Sequence, residues 1–526
     1  MALPYPAASR PFVAPSRVAS AAPSARPVVA EPLEPRELMS VSINAAGLTV
    51  VTPSADSRVV YVSASGSDLN NGLSASSPVK SLAKAQSLVR DRMPDQVLLK
   101  RGDVFYDAFG YWKKSGRGDD EPMVIGAYGD GDRPEVRTGN ATGITVGSIA
   151  AQRMADVAIL GIRFRASGRD PSLGGTAFAS TAKGISVVSA VDDLLIEDCK
   201  VERFQTNVSF VPVYGDSSDV RVRRCIVVDA FTTSGYGSGL FADGVRGLTV
   251  EGSTFDHNGW LEAAGAAANL HNHNLYITGN TSGVAVRYNV IANASSHGVQ
   301  ARSGGEITNN LFVDNPIGLS YGLVNGAGVD TPGGVTGTVS GNVFLGGRDI
   351  DGAGRGMAIE VSNIAHASIR DNVISTGYAA GKLWAISLAG AEGVDQGNSV
   401  GIQDLTVEDN TIYRWYKGLF LQYGLSPDAG NSWQELGTVT VRNNDWVDIA
   451  STVYINTASG YIDINDAPET SAAALRSLGA PDPDRSVASY AETVGLDRST
   501  SSFLREARNR KGGTVDFRFT AGRVIE

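Results

Sequence analysis

Several residue types and patterns are scarce in this chain of 526 residues. Its two cysteines, Cys199 and Cys225, are too few for a disulfide framework. No apolar run approaches the roughly 18 residues of a transmembrane helix, so no membrane span is predicted. The net charge of −10 argues against a nucleic-acid partner, which requires a concentrated basic surface. An acidic polysaccharide is still compatible with this charge, because it needs only a local basic groove.

Histidine is also rare, with five residues in the whole chain. Four of the five lie between residues 257 and 297: His257, His271, His273 and His297. A chain so poor in histidine has no compositional reason to concentrate it in one stretch. The sequence that repeats around this stretch supplies an explanation.

A short pattern of alternating apolar residues, followed by Asn or a small residue and two more β-formers, recurs through the middle of the chain. Alternation with a period of two is typical of strands and argues against helical repeats. The copies are VAILGIRF (157–164), LLIEDCKV (194–201), VRVRRCIV (220–227), LTVEGSTF (248–255), VAVRYNVI (284–291), GEITNNLF (305–312), GTVSGNVF (337–344), ASIRDNVI (367–374), LTVEDNTI (405–412) and VTVRNNDW (439–446).

One position of this pattern is expected to form an internal ladder. Its spacing varies from 21 residues, between Asn289 and Asn310, to 38 residues, between Asn372 and Asn410. A solenoid that winds one coil per repeat, with loops of variable length, tolerates such variation. Asparagine amides at a fixed place in each coil would then bond to the coils above and below. Cys199 and Cys225 fall at the same place in earlier copies and are expected to be buried thiols. The sequence therefore predicts an all-β solenoid of about ten coils or more.

The opening of the repeat region resembles a known superfamily. YVSASGSDLNNGLSASSPVKSLAKA (61–85) is similar to the first strand and capping helix of pectate-lyase-like proteins, and LKRGDVF (99–105) is similar to the coils that follow. The resemblance implies a right-handed, single-stranded parallel β-helix, which we assign to residues 56–455. Residues 456–526 lose the repeat and are predicted to be a C-terminal cap of short helices, which would protect the last open edge. This superfamily includes lyases, hydrolases, epimerases and adhesins, so the resemblance does not specify an activity.

Residues 1–55 are predicted to be a disordered segment for export and sorting, and residues 1–35 are rich in Ala, Pro and Ser. EPLEPRELMS (31–40) resembles a sorting motif near the N-termini of some bacterial extracytoplasmic proteins, with Met39 where that motif has Leu. The resemblance implies a secreted or cell-surface protein. We expect the protein to act as a monomer.

A second sequence pattern aligns one further strand from each of several coils. The segments are GLFAD (239–243), NLYIT (274–278), GVQAR (298–302), GLSYG (318–322), GMAIE (356–360) and GLFLQ (418–422). Side chains alternate across a strand, so the mostly apolar second and fourth residues should face the core and the others should face outward. The predicted outward set is Phe241, Asp243, Asn274, Tyr276, Thr278, Gln300, Arg302, Ser320 and Glu360.

Four residues are candidate catalytic groups of one groove on this face. They are His273, Tyr276, His297 and Arg302, since His273 and His297 each precede the outward strand in successive coils. Abstraction of the C5 proton of a uronic acid needs a base and neutralisation of the adjacent carboxylate. A histidine could be the base, Tyr276 the acid, and Arg302 the neutralising cation. The predicted activity is β-elimination or C5 epimerisation of a uronic-acid polysaccharide, which share this first step.

Candidate substrate-binding residues surround these four. They are Phe241, Asp243, Asn274, Gln300, His271 and His257.

Two other functions stay open at this stage. A glycoside hydrolase would need paired carboxylates, such as Asp243 with Asp256 or Glu262. A non-catalytic surface protein would only bind sugar in the groove.

The sequence specifies no cofactor with certainty: His271 and His273 lack a third zinc ligand at a typical spacing. A calcium ion held by loop carboxylates such as Asp243 and Asp256 would fit the resemblance to several polysaccharide lyases, and the sequence leaves zinc and calcium both open.

Overall fold

The structure is a computed structural model. It describes residues 41–45, 47–148, 152–322, 331–350, 355–375, 384–389, 400–413, 415–422, 438–447, 449, 453–457, 460–464, 518–520 and 523–525. Three long sheets run through these residues, and successive strands of the chain pass from one sheet to the next. We call these sheets the first, second and third walls.

The strands of each wall follow one another in chain order. The first wall contains Val59–Val62, Gln96–Lys100, Met123–Tyr128, Met154–Leu160, Val191–Glu197, Ser217–Arg223, Val245–Glu251, Ala285–Arg287, Gly305–Thr308, Val335–Ser340, Ile364–Arg370, Asp404–Glu408 and Thr438–Arg442. The second wall contains Val104–Phe105, Glu135–Arg137, Arg163–Arg165, Lys200–Glu202, Ile226–Val228, Thr254–Asp256, Val290–Ala292, Leu311–Val313, Val343–Leu345, Val373–Ser375, Thr411–Tyr413 and Asp445–Val447. The third wall contains Gly110–Trp112, Ile144–Val146, Lys183–Val187, Thr206–Phe210, Ser238–Ala242, His273–Ile277, His297–Ala301, Ile317–Tyr321, Met357–Val361, Trp384–Ala389, Lys417–Gln422, Val453–Thr457 and Gly460–Ile464.

The pairing within the walls confirms the predicted right-handed parallel β-helix. Each coil contributes one strand to each wall, and neighbouring coils pair in parallel, as in Leu240 with Leu275 and Leu275 with Val299. The apolar positions of the alternating pattern point inward, so that Leu275 and Val299 are fully buried in one continuous core. These residues are buried because the three walls enclose a common interior, in which inward side chains from all three walls pack together.

The predicted asparagine ladder is also confirmed. The side-chain oxygen of Asn310 accepts hydrogen bonds from the backbone and side-chain nitrogens of Asn289, both at 3.0 Å. The Asn310 amide in turn donates to the Asn342 side-chain oxygen at 3.0 Å and to the Val286 carbonyl at 2.8 Å. The same pattern continues to Asn444. These bonds satisfy buried backbone groups where each coil turns from the first to the second wall.

Replacing Asn310 by alanine is expected to lower the free energy of unfolding by roughly 2–4 kcal/mol, because it leaves buried groups of the adjacent coils without partners. Thermal or denaturant unfolding followed by circular dichroism measures the change. Asn71→Ala, at an exposed turn, is the control and should change stability much less. An equal loss in both variants would contradict a special role for the ladder.

A second ladder lies where the coils turn from the second to the third wall, and the sequence pattern did not reveal it. The Asn258 amide donates to the Asn274 side-chain oxygen at 2.8 Å. The Asn207 amide reaches Asn258 at 3.2 Å, and the Asn274 amide lies 3.5 Å from Asn315. All four side chains are buried. This ladder anchors the start of the third-wall strands.

The predicted N-terminal capping helix spans Leu82–Leu88. The Ser81 side chain accepts a hydrogen bond from the Lys84 backbone nitrogen at 3.1 Å, as an N-cap residue does. Leu82 and Ala85 are fully buried against the first coil. The described residues also include three short 3₁₀ helices: Ser167–Arg169, Pro171–Leu173 and Glu262–Ala264. In the described part of the chain, no helix has the length and apolar character to cross a membrane.

The structure corrects the predictions for both ends. Residues 1–55 were predicted to be disordered, but Val41–Ile43 and Thr49–Val51 pair as an antiparallel hairpin. The hairpin lies on the first wall, where the Thr49 nitrogen donates to Glu197 at 2.8 Å. In the predicted helical cap of residues 456–526, the described residues are instead strands: Gly460–Ile464, Arg518–Thr520 and Arg523–Ile525. The remainder of that cap lies outside the described residues.

Candidate active site

The third wall aligns the outward side chains of successive coils in rows. In one row, Phe241, Tyr276, Gln300, Ser320 and Glu360 are direct neighbours in successive strands. In a parallel row, His273 pairs with His297. Coils are about 4.8 Å apart, so residues distant in the chain become neighbours. We call His273, Tyr276, His297, Arg302 and Glu360 the third-wall cluster.

The two histidines of the cluster contact each other directly. Their ring centroids are 4.8 Å apart, and the two Nδ1 atoms are separated by 3.1 Å. The Ser296 hydroxyl also lies 2.8 Å from the Nδ1 atom of His297. His273 is 4% exposed and His297 is 5% exposed, so both imidazoles are largely shielded from water. The sequence had predicted that this pair would stack at one edge of the face, and the structure brings the two rings together there.

Tyr276 connects the histidines to the arginine. Its ring centroid lies 5.1 Å from that of His273 and 5.2 Å from that of Phe241, both in edge-to-face geometry. The Arg302 guanidinium lies over the Tyr276 ring, with its carbon 5.0 Å from the centroid. Such a cation–π contact holds the guanidinium in place. All four residues predicted to be catalytic therefore lie on one wall.

Burial determines the protonation of His273 and Tyr276. The pKa of His273 lies well below 6.5, because burial and then the neighbouring His297 and Arg302 side chains disfavour the imidazolium. Burial raises the pKa of the Tyr276 phenol, and Arg302 only partly opposes this. At neutral pH the cluster thus holds a neutral imidazole that can accept a proton and a neutral phenol that can donate one.

The low pKa of His273 also affects the acid stability of the fold. As the pH falls below about 6.5, the unfolded chain protonates this histidine before the folded chain does. The unfolded state then binds more protons, so the contribution of His273 makes the fold less stable as the pH decreases.

Glu360 is a member of the cluster that sequence reasoning placed outward but gave no role. One of its carboxylate oxygens lies 3.5 Å from the Nε2 atom of His297. Both atoms are buried and make no hydrogen bond within the usual distance. The two residues are far apart in the chain, and only the alignment of third-wall segments could have suggested their proximity. A carboxylate in this position orients and polarises the imidazole of His297.

Asn274 was predicted to face outward and bind substrate, and the structure shows that this is wrong. Its side chain is fully buried in the second ladder and donates to the Ala292 carbonyl at 2.8 Å. The alternation fails here because the strand is only beginning. The third-wall pairing passes directly from His273 to Leu275 and omits Asn274. The aligned segments have glycine at this column, so a lone asparagine there was the available signal.

Gln300 and Asp243 lie on the predicted face beside the cluster. Gln300 follows Tyr276 in the outward row and is 2% exposed. Asp243 follows the strand that carries Phe241 and accepts hydrogen bonds from Thr278 at 2.6 Å and Asn280 at 2.9 Å. These contacts hold the Asp243 carboxylate just after its third-wall strand. Arg302 occupies the equivalent position after the strand His297–Ala301.

The two remaining histidines of the sequence stretch lie outside the cluster contacts. His271 is exposed and packs edge-on against Tyr236, with ring centroids 5.7 Å apart. His257 follows a strand of the second wall, where its Nδ1 atom lies 2.8 Å from Asp229 and its ring lies 4.3 Å from that of Trp260. The stretch is therefore divided between the second and third walls.

The carboxylates expected to hold calcium do not come together. Asp243 follows a third-wall strand, whereas Asp256 ends a second-wall strand and accepts a hydrogen bond from Asn293 at 2.9 Å. Among the described residues, the acidic group close enough to share an ion is Asp119, Asp156 and Asp193. Burial and the neighbouring Asp119 raise the pKa of Asp156 to about 6. Asp156 and Asp193 belong to the first wall, away from the cluster.

Three parallel walls, an internal asparagine ladder and an N-terminal capping helix identify the fold. The chain is a parallel β-helix. No family model matches this β-helix. A lacto-N-biosidase from Bifidobacterium longum subsp. longum is 39% identical over 85 residues, which is 16% of this chain and only 5% of that relative's length.

Solved structures similar to this β-helix share little sequence with it. A GH136 lacto-N-biosidase from Eubacterium ramulus is 12% identical, with a TM-score of 0.39 over 74% of this chain and 68% of that one. An alginate lyase from a Paenibacillus species is 13% identical, with a TM-score of 0.37 over 69% of this chain and 97% of that one.

Proposed function

We propose that this β-helix is an enzyme that removes the C5 proton of a uronic acid residue in an acidic polysaccharide, leading to β-elimination or C5 epimerisation. One observation carries the proposal: a neutral imidazole and a guanidinium each lie about 5 Å from the ring of a neutral phenol on a single wall. This combination supplies a base, an acid and a carboxylate-binding cation.

Arg302 is the carboxylate-binding group in this proposal. C5–H is weakly acidic, and its removal places negative charge on the adjacent carboxylate. A guanidinium can bind that carboxylate through two parallel hydrogen bonds and stabilise the developing charge. Stacking over Tyr276 holds the guanidinium beside the acid and base before substrate arrives.

His273 is the proposed base and Tyr276 the proposed acid. The imidazole is neutral at physiological pH and can accept the C5 proton, whereas the phenol keeps its proton and can give it to the departing oxygen or back to C5. His297, between His273 and Glu360, can share the positive charge that forms on His273. Sharing the charge stabilises the intermediate in a site that excludes water.

Hydrolysis is the second candidate, because the sequence relative named above is a lacto-N-biosidase. A hydrolase needs two carboxyl groups roughly 5–10 Å apart across the scissile bond. Asp243 and Glu360 are separated by four coil steps, or about 19 Å along the axis. This separation favours proton abstraction over hydrolysis by that pair.

We also propose that the enzyme acts as a monomer outside the cytoplasm. The sorting-like motif at residues 31–40 supports this location. Acidic polysaccharides of cell walls and matrices are substrates that such an enzyme would meet there.

The proposed function is tested by incubating the protein with alginate, polygalacturonate and glycosaminoglycans. Elimination gives unsaturated ends that absorb in the ultraviolet, and epimerisation changes the proton NMR spectrum without shortening the chain. New reducing ends without unsaturation would overturn the proposal in favour of hydrolysis. Binding without turnover of any of these polymers would support a non-catalytic surface protein instead.

A further inference from the structure

A cavity of about 300 Å³ lies beside the loop that joins the strand Val59–Val62 to the capping helix. This volume is at the lower end of the range for small-molecule pockets. Most of the lining comes from residues 63–78, in the stretch that resembles the opening of pectate-lyase-like proteins. Lys100 and Tyr128, which each end a first-wall strand, complete it. The cavity shares no residue with the third-wall cluster.

The loop that lines the cavity is held in place by hydrogen bonds. The Ser63 hydroxyl is 1% exposed and donates to the Asp103 carboxylate at 2.7 Å. The Asn70 amide donates to the Pro78 carbonyl at 2.8 Å. Gly66 permits close packing of the loop, because a Cβ atom there would lie 2.6 Å from the Pro78 carbonyl oxygen. A cavity with fixed walls binds a ligand without the entropic cost of ordering a loop.

Tyr128 brings an unpaired hydroxyl group to this cavity. Its ring packs edge-to-face against Tyr61, with the centroids 4.9 Å apart. Its hydroxyl oxygen is buried and has no hydrogen-bond partner in the described part of the chain. Burial and the nearby Asp103 raise the pKa of this phenol, so the group keeps its proton and can donate it in a hydrogen bond. A buried hydroxyl without a partner lowers stability, and a ligand with an acceptor would relieve that cost.

The lining combines one cation with several hydroxyl and amide groups. Ser65, Ser76 and Lys100 are exposed, so the cavity is open to solvent. The Lys100 ammonium can bind a carboxylate through a charge-assisted hydrogen bond. Serine and asparagine side chains offer both donors and acceptors, which the hydroxyl groups of a sugar require. Asp103 lies outside the lining, where Ser63 and the Ala64 backbone nitrogen already donate to it.

We propose that this cavity binds one acidic sugar residue at the end of a polysaccharide chain, with its carboxylate at Lys100 and its hydroxyls at Tyr128 and the serines. The volume is sufficient for a single sugar ring, and the remaining chain extends into solvent. Such a site anchors a glycan to the N-terminal end of the β-helix. This inference goes beyond the proposed function, because an anchored chain is bound without being a substrate.

The test compares Lys100→Met with Lys80→Met, which removes an exposed lysine near the cavity but outside its lining. Both changes are made in Arg302→Met, so that the proposed carboxylate contact of the third wall is absent. Calorimetry and ligand-observed NMR measure binding of D-galacturonate, D-mannuronate, neutral D-galactose and acetate. Lys100→Met is expected to weaken uronate binding about tenfold, as loss of one charge-assisted contact does. Lys80→Met should leave it unchanged.

Tyr128→Phe tests the unpaired hydroxyl in the same background. It is expected to weaken uronate binding about fivefold, because the ligand loses one neutral hydrogen bond. The melting temperature of the empty protein should stay the same or increase, since the change removes a buried hydroxyl without a partner and keeps the ring. A lower melting temperature with unchanged uronate affinity would show that the hydroxyl serves the fold and would overturn its binding role.

The outcomes separate this cavity from the proposed activity. Uronate binding that persists in Arg302→Met and weakens in Lys100→Met would support the cavity, whether or not turnover is found. Uronate binding that Arg302→Met alone abolishes would assign it to the third wall and overturn the cavity. Equal affinity in the two lysine variants would also overturn it. Acetate or galactose that binds as tightly as the uronates would contradict recognition of an acidic sugar. Circular dichroism establishes that each variant keeps its β-structure.

Discussion

Replacing His273 by alanine is expected to lower kcat/KM on the uronate polymer at least about a hundredfold, the usual effect of losing a general base. Its imidazole is the group that burial keeps neutral beside Tyr276, so it can accept the C5 proton. Unsaturated product or NMR-detected epimerisation measures turnover. The fold should persist, because His273 lies outside the asparagine ladders and the apolar core.

His366→Ala is the matched control for this experiment. His366 is a first-wall histidine with a 75% exposed side chain, paired with Asp404 at 3.0 Å. It should keep native activity. Comparable turnover in the His273 and His366 variants would remove His273 from the mechanism and leave His297 as the candidate base.

The pH profile gives a second measurement of the same role. Because the pKa of His273 lies well below 6.5, its base form persists in mildly acidic solution. The acidic decline of kcat/KM is therefore expected below pH 6.5. A decline centred above that value would show that another group is the essential base.

Replacing Arg302 by methionine is expected to reduce kcat/KM at least about a hundredfold, because the charge that develops on the substrate carboxylate loses its fixed partner. Methionine preserves much of the side-chain volume over Tyr276. The loss should appear in kcat as well as KM, since the contact strengthens as charge develops. Arg302→Lys should recover only part of the activity, because an ammonium cannot bind a carboxylate in bidentate geometry.

Arg302→Met also has an expected effect that needs no substrate. The positive charge of Arg302 contributes to the low pKa of His273. Its removal should raise that pKa, which histidine NMR resonances measure as a titration shifted to higher pH. Loss of activity without this shift would mean that Arg302 does not act on His273 in solution. Native activity in the variant would exclude Arg302 as the carboxylate-binding group.

The alternation of apolar residues was sufficient to predict much of the site. Leu275 and Ile277 had to point inward, so Tyr276 between them had to point outward, and the same reasoning applied to Gln300. The rule failed at Asn274, where the turn from the second wall has not yet given way to a regular strand. Period-two reasoning holds only where the backbone is already extended.

Glu360 shows a different limit of prediction from the sequence pattern. Its outward direction followed from its segment, but its approach to His297 depends on how many residues each coil uses before it returns to the wall. Loop lengths are not encoded in the strand pattern. The same limit concealed the division of the histidine stretch, since His257 and His273 lie on different walls although only a short segment separates them.

The amino-acid sequence by itself determined the repeat, the first ladder and the inward or outward direction of most third-wall side chains, because these depend on local alternation and one recurring asparagine. Only the tertiary structure decided which side chains meet. It placed two imidazoles in contact and brought a guanidinium over a phenol ring. The physical reason is that coil stacking converts separations of tens of residues into distances of about 4.8 Å, and burial then determines which groups carry charge.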